Sequence, residues 1–417
     1  FMQIRCEDSG VFIVKKYINK DVNGMNFELT DEQKVLKEKV REMVRKDILP
    51  RAAQIDSKSE IPWDVMKIMA DKGLFKFLIP EEYGGSGKGD LKALELSIIR
   101  EELSYGSYQA DAIYALNGLG SYSVVHSGTE KQKQVFLPKI ARGETLACMA
   151  LTEPEAGSDV ASMKTIAKLE GEEWVLNGTK TFASNASVAG LITVFATVDP
   201  SKGARGITAF ILDPKVSKYE LVPFHVLAPH DICTIILKDT RIPKENVLGE
   251  VGHGFRVAMK TLDVLRNSVG AAAVGLSQYA LDITIERVKS RVQFGKPLAE
   301  QPIIQERLAE MATEIHAGRL MTYYSAWLKD SGMVDRVTYE SSMVKWWCTE
   351  MAQRVVDKCL QMWGGYGVMM EYPMQRLYRA VRAPRIYEGV NEIQKLIVAR
   401  ELLKRYPDPD PDPVNSN

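Results

Sequence analysis

The spacing of apolar residues changes twice along this chain, and that change limits what it can fold into. Between about residues 30 and 143 apolar residues recur every three or four positions, as on helices. Leu36, Val40, Met43 and Val44 form one stripe. Val65, Met66 and Met69 form a second, stopped at Gly73, and Leu94, Ile98, Ile99 and Leu103 form a third before Gly106. Thr30-Asp31-Glu32-Gln33 is a capping box that opens the first helix. Between about 146 and 248 branched and aromatic residues gather in short runs, as strands require: 191–198, 207–212 and 234–237. The run 174–182 carries Asn177-Gly178, which predicts a hairpin turn. From about 252 to 404 long helical stripes return. One holds Leu308, Met311, Ile315, Tyr323 and Trp327, another Val344, Trp347, Met351, Val355, Cys359 and Trp363. The expected fold is mainly α with a central β-domain. It has an N-terminal helical domain (25–145), a small antiparallel β-sandwich or barrel (146–250) and a C-terminal up-down helical bundle (251–405).

With 417 residues the chain has enough length for more than one core. Lys+Arg and Asp+Glu balance at 54 each, which argues against nucleic acid as a partner. No apolar run is long enough to span a membrane. Cys6, Cys148, Cys233, Cys348 and Cys359 are scattered and odd in number, so a cytoplasmic, disulfide-free protein is expected. The five histidines are scattered too, without metal-ligand spacing, so no metal is expected. Residues 1–24 contain Glu7, Asp8 and Asp21 and lack a long apolar core, so they resemble neither a transit peptide nor a signal. They read as a disordered or artificial extension, or as the product of an upstream start. Residues 406–417, rich in Pro-Asp repeats, read as a loose tail.

The segment 385–394 offers chemistry. Glu388 is followed by Gly389, and then an amphipathic helix starts, with Asn391 as N-cap and Gln394 as its capping-box partner. A carboxylate in a loop before a helix suits a catalytic base. Taken alone, it suits an ordinary cap region better.

Four motifs, in order, resemble the acyl-CoA dehydrogenase family over about residues 26–403. Leu151-Thr152-Glu153-Pro154-Glu155-Ala156-Gly157-Ser158-Asp159 is similar to its flavin-contacting loop. Arg291-Val292-Gln293-Phe294-Gly295-Lys296-Pro297-Leu298 and Gln361-Met362-Trp363-Gly364-Gly365-Tyr366-Gly367 are similar to two further FAD signatures. Ile386-Tyr387-Glu388-Gly389 is similar to the segment with the catalytic glutamate. The resemblance implies an α-domain, a β-domain and a four-helix bundle. It implies FAD, an acyl-CoA substrate, electron-transferring flavoprotein as electron acceptor, and a homo-oligomer, a tetramer. Glu388 would take the α-proton while the β-hydrogen leaves as hydride to flavin N5. Met149, Leu151, Thr152, Gly157, Ser158, Phe182, Ser184, Arg291, Phe294, Gln361, Gly364, Gly365 and Asn391 would meet the cofactor. Ser158, Asp263, Arg266, Tyr387 and Gly389 would meet the substrate. Without the resemblance, Asp263 and Arg266 read equally as a solvated helix face.

The chain departs from the family in places. Phe182-Ala183-Ser184 stands where Trp-Ile-Thr is usual, with Ser184 still expected to donate a hydrogen bond. Val390 replaces a threonine that commonly follows, and 226–230 replaces a Gly-Ser-rich stretch. Gln109, Asp111, Tyr114 and Asn117 lie where the family lines its acyl cavity, or else face solvent. If they line it, a short, branched, cyclic or aryl-substituted acyl group is expected. The arginine with which the glutaryl type holds a distal carboxylate has no counterpart between 102 and 128, which disfavours a dicarboxylyl substrate such as benzylsuccinyl-CoA. No GxGxxG follows a strand, which disfavours NAD. Other readings on the same scaffold are a non-oxidative lyase of the desulfinase kind, which would lack the glutamate, and an acyl-CoA oxidase.

Overall fold

A computed structural model of the chain describes residues 28–87, 89–334 and 336–406. The extension expected at 1–24 and the tail beyond Tyr406 lie outside the described residues. The N-terminal region holds α1 (Asp31–Met43), α2 (Trp63–Asp71), α3 (Ala93–Gly106), α4 (Tyr108–Ser127) and α5 (Glu130–Ala141). α1 opens with the expected reciprocal cap: the Gln33 amide donates to Thr30 Oγ1 at 3.3 Å, and the Thr30 amide donates to Gln33 Oε1 at 3.0 Å. The three predicted stripes are buried in one core. α3 and α4 are buried almost all round, because α1 covers α3 on one side and the C-terminal bundle on another.

Asp56, in the turn before α2, is 5% exposed. Its carboxylate accepts from the Ser107 hydroxyl, the Gln109 amide and, at 3.0 Å, Arg376 Nη1. Burial raises its pKa against the pull of Arg376.

The central region holds β1 (Leu146–Ala150), β2 (Ile166–Glu170), β3 (Glu173–Ser184), β4 (Ala189–Thr197), β5 (Ile207–Leu212), β6 (Glu220–Pro223), β7 (Ile232–Pro243) and β8 (Val247–Leu248). They form one sheet in the order β6-β7-β3-β2-β4-β5-β8, with β1 alongside β4. The expected antiparallel character holds for most pairs, but β1 and β2 both run parallel to β4. The end strands β6 and β8 do not pair among the described residues, so no closed barrel is seen. The Asn177-Gly178 hairpin is also corrected. β3 runs straight through it, with a register shift between Leu176 and Gly178. A Cβ on Gly178 would lie 2.4 Å from Thr165 Oγ1, so glycine permits close packing there rather than a turn. Asn177 instead pairs with Asp239 across to β7. The turn itself falls at Gly171, whose φ is +61°.

The C-terminal region holds α6 (Gly254–Leu265), α7 (Asn267–Ser290), the short hairpin β9 (Val292–Gln293) and β10 (Lys296–Pro297), α8 (Pro302–Ser331), α9 (Thr338–Trp363), α10 (Pro373–Ala380) and α11 (Asn391–Leu403). α7, α8 and α9 pack on one another and α11 lies on α9, which makes the four-helix bundle. Met311, Ile315, Val344, Met351, Val355 and Cys359 fill its core. Among the described residues no helix is long and apolar enough to cross a membrane. Cys148, Cys233, Cys348 and Cys359 are free thiols.

Candidate active site

Glu388 lies in the turn before α11 with φ at +53°, and Gly389 follows at +91°. A glutamate in the left-handed region is strained, so its surroundings must hold it. Three side chains do so through the backbone. Arg266, at the end of α6, donates from Nε to the Glu388 carbonyl at 3.2 Å. Lys345, from α9, donates from Nζ to the Gly389 carbonyl at 2.7 Å. Gln394 Nε2 donates to that same carbonyl at 3.3 Å. Arg266 is 5% exposed and Lys345 is fully buried. Asp263 keeps Arg266 in place by accepting from Nη1 at 3.1 Å, and also pairs with Arg336. The solvated-face reading of these two residues is therefore overturned.

Asn391 is not the N-cap. It is the first residue of α11, Val390 is the cap, and no side chain caps the helix. Lys345 Nζ donates to Asn391 Oδ1 at 2.9 Å, and Asn391 Nδ2 donates to Glu350 Oε1 at 2.8 Å and Thr349 Oγ1 at 3.0 Å. Two charged partners outbid the helix's own amides. The fully buried Asn391 amide thus serves the fold beneath the Glu388 turn.

The Glu388 carboxylate takes no hydrogen bond among the described residues, and its Oε2 is enclosed without a partner. Burial raises its pKa; the charges of Arg100, Arg266 and Lys345 pull the other way. Lys345 is pushed down to about 7, chiefly by burial, against the attraction of Glu388.

Arg100 comes from α3 and is 3% exposed. Its Nε and Nη2 donate to the two Asp111 oxygens at 2.9 and 2.8 Å, and Nη1 donates to Ser268 Oγ at 2.8 Å. Tyr387 sits among Tyr108, Arg100 and Asp111, and its pKa is driven well up by burial. Tyr108 meets the His230 ring edge-on at 6.1 Å, and His230 Nε2 lies 3.2 Å from Ser184 Oγ. Tyr108 thus touches the His230 ring beside Ser184 and also acts electrostatically on Tyr387, the neighbour of Glu388.

The polar residues expected in the acyl cavity are all buried, which excludes the solvent-facing reading. Two of them are spent inside the protein. Gln109 Nε2 donates to the Lys58 and Glu60 carbonyls, and Asn117 Oδ1 accepts from the Ala147 amide at 2.8 Å. Asp111 belongs to the Arg100 pair. The Tyr114 hydroxyl is enclosed with no partner among the described residues.

The loop 151–159 leaves β1 with Met149, Leu151 and Thr152 half-buried and Gly157 and Ser158 exposed. Buried Lys180 anchors it, donating to the Leu151 carbonyl at 3.1 Å and Glu153 Oε1 at 2.8 Å. Phe182 is 59% exposed with φ at +55°, edge-on to Phe224. Ser184 closes β3, but its hydroxyl is engaged with His230, against the expectation of a free donor.

A second set of predicted residues lies elsewhere. Arg291 and Phe294 sit on the β9–β10 hairpin, with Phe294 97% exposed at φ +52°. Gln361, Gly364 and Gly365 are exposed at the end of α9. Arg287, one turn before Arg291, lies over the Trp363 and Tyr366 rings at 4.7 Å. No hydrogen bond or ion pair among the described residues ties this surface to the Glu388 turn.

Sequence reasoning missed Arg100, Lys345, Tyr108 and His230. Arg100 lies four residues after Leu96 and three before Leu103, both buried, so a cation on the apolar stripe was the available signal. Lys345 likewise falls between Val344 and Cys348 on the buried face of α9.

The residues present fit a flat cofactor. Nothing lies within 4 Å of a Cβ built on Gly157, Gly364 or Gly365, so ligand can meet backbone there, and Glu388 Oε2 is buried with no hydrogen-bond partner among the described residues.

Comparison with known proteins agrees. The acyl-CoA dehydrogenase N-terminal, middle and C-terminal domain models match residues 30–144, 148–238 and 252–403. The acryloyl-CoA reductase (NADH) of Anaerotignum propionicum is 39% identical over 401 residues, 95% of this chain and 100% of the relative. The solved butyryl-CoA dehydrogenase of Megasphaera elsdenii is 33% identical with a TM-score of 0.87, covering 91% of this chain and 100% of that one. The solved acyl-CoA dehydrogenase of Bacillus anthracis, complexed with FAD, is 31% identical with a TM-score of 0.85 over 96% of this chain and 71% of that one. This chain belongs to the FAD-dependent acyl-CoA dehydrogenase family.

Proposed function

We propose that the chain catalyses FAD-dependent α,β-dehydrogenation of an acyl-CoA thioester, with Glu388 as the base and electron-transferring flavoprotein as the electron acceptor. One observation carries the reading. Arg266 and Lys345 spend hydrogen bonds on the backbone of the Glu388 turn and leave its carboxylate free, enclosed and raised in pKa. Such a carboxylate is a base prepared for a weak carbon acid. The Glu388 amide polarises the thioester carbonyl, which stabilises enolate charge as the α-proton leaves. Bound FAD supplies the acceptor for the β-hydride. Thr152, Ser158, Phe182 and Ser184 hold it from the β-domain. Arg291, Phe294, Gln361, Gly364 and Gly365 hold FAD across an interface with a second copy of the chain, in a tetramer. Asp263, Arg266, Tyr387 and Gly389 position the thioester arm.

The acyl end is short, branched, cyclic or aryl-substituted, because the Arg100–Asp111 pair and the Tyr114 hydroxyl make its surroundings too polar for a long alkyl chain. Glu388→Gln is expected to retain FAD and lose about 10²–10⁴-fold in kcat. Anaerobic flavin bleaching by linear, branched, cyclic and aryl acyl-CoAs reads both activity and substrate class. Full turnover by Glu388→Gln with an artificial acceptor sinks the assignment. A second reading, favoured by the 39% identity to a reductase, runs the same chemistry toward the saturated thioester. Equilibration from both sides of one saturated/enoyl pair separates the two directions.

A further inference from the structure

Ser184 is the residue of β3 expected to offer a hydroxyl hydrogen to the flavin, yet that hydrogen is used within the chain. Ser184 Oγ lies 3.2 Å from His230 Nε2. The other ring nitrogen, Nδ1, lies 3.1 Å from the Ala228 carbonyl oxygen. A carbonyl only accepts, so Nδ1 carries the ring hydrogen. Burial lowers the His230 pKa, against the opposing effects of the Ala228 carbonyl and Asp231, which keeps the ring neutral at pH 7. Nε2 is then a bare lone pair, and Ser184 must be the donor. Its oxygen keeps only lone pairs for any further partner.

The surroundings fix this arrangement. Tyr108, 7% exposed, meets the imidazole edge-on. Arg379 of α10 donates to the Leu227 carbonyl at 3.4 Å. The Asp231 carboxylate is occupied by the Ser187 amide and hydroxyl at 3.2 and 2.7 Å.

We propose that His230 is a positioning residue that makes Ser184 an acceptor-only contact for the flavin, so that the site favours the reduced cofactor. The inference rests on the flavin placement given above. Ring nitrogens that gain hydrogen on flavin reduction accept hydrogen bonds when oxidised and donate them when reduced. An acceptor-only oxygen opposes the first state and satisfies the second. A site that favours reduced flavin draws electrons from a saturated thioester more readily, so the bias agrees with the dehydrogenation of the first reading.

The test begins with flavin content of the purified protein. A chain that takes up no FAD overturns the site reading and this inference with it. With FAD bound, His230→Leu frees the Ser184 hydroxyl to donate. The two-electron midpoint potential is expected to fall, with the reduced-to-oxidised ratio dropping about tenfold, ~30 mV. In a Ser184→Ala background, adding His230→Leu is expected to change nothing further. An unchanged potential in His230→Leu, or the same shift in both backgrounds, overturns the inference and leaves the flavin site standing. Nitrogen NMR of the unsubstituted protein provides a readout that does not require the variant to fold. Hydrogen on His230 Nδ1 supports the inference and hydrogen on Nε2 overturns it.

Discussion

The Glu388 turn and the β9–β10 surface both carry residues that the family resemblance assigns to chemistry, but the chain treats them in opposite ways. Around Glu388 the carbonyls of Glu388 and Gly389 are held by three buried side chains, Arg266, Lys345 and Gln394. At the hairpin, Phe294 is 97% exposed, and the nearby Gly364 and Gly365 have open space beside them. Under the function proposed for Glu388 a base must be placed before substrate arrives, which accounts for internal support. A surface that recognises a cofactor or a second copy can stay open until its partner completes it.

Four substitutions or titrations sharpen this contrast. Arg100→Met leaves Asp111 buried without its charge partner, and a loss of about 3–5 kcal/mol in stability is expected. Denaturant unfolding measures it, and adding Asp111→Leu should restore most of the loss. Lys345→Met leaves the Gly389 carbonyl and Asn391 Oδ1 without their charged donor, at a cost of about 2–3 kcal/mol. It should also slow kcat with FAD retained; normal kcat would show that the turn holds itself.

The acid limb of kcat/KM should lie above the ordinary glutamate range, with activity falling as pH drops through it, because burial raises the Glu388 pKa. Lys345→Met should move that limb further up, since one opposing cation is gone. The folded state binds this proton more tightly than the unfolded chain does. The contribution of Glu388 to stability therefore falls as pH rises from the ordinary value to the raised one. The smallest effect on stability belongs to the open surface. Arg291→Ala with Phe294→Ala should change unfolding free energy by no more than about 0.5 kcal/mol. It should nevertheless weaken FAD retention, read by gel filtration and flavin absorbance. A large stability loss would mean the hairpin is not the unspent surface described.

Much of the fold was legible because it follows local rules. Thr30 caps as expected, and Leu36, Val40 and Met43 point inward. The strand at Ile207–Leu212 has the predicted bounds. Glu388 was singled out as the base only through the family resemblance of Ile386-Tyr387-Glu388-Gly389, and the structure places it in the turn before α11. What was not legible depends on distant partners. Asn177-Gly178 is a turn by local rule, but β7 continues the ladder past it. Asn391 is a cap by local rule, but Lys345 and Glu350 claim it from α9. Arg100 and Lys345 interrupt apolar stripes, but one dimension does not show what holds them there. Only Asp111 and the Gly389 carbonyl, brought in by the fold, explain their burial.

The carboxylate of Asp56 has a consequence for how such genes can be rearranged. Three family models divide this chain into pieces, yet Asp56 in the first shares its negative charge with Arg376 in the third. A fragment cut at the model boundary inherits an unneutralised acid in its interior. A chimera assembled from two relatives inherits the same fault unless both positions travel together. Regions that three separate models describe are, at this point, one object in electrostatics.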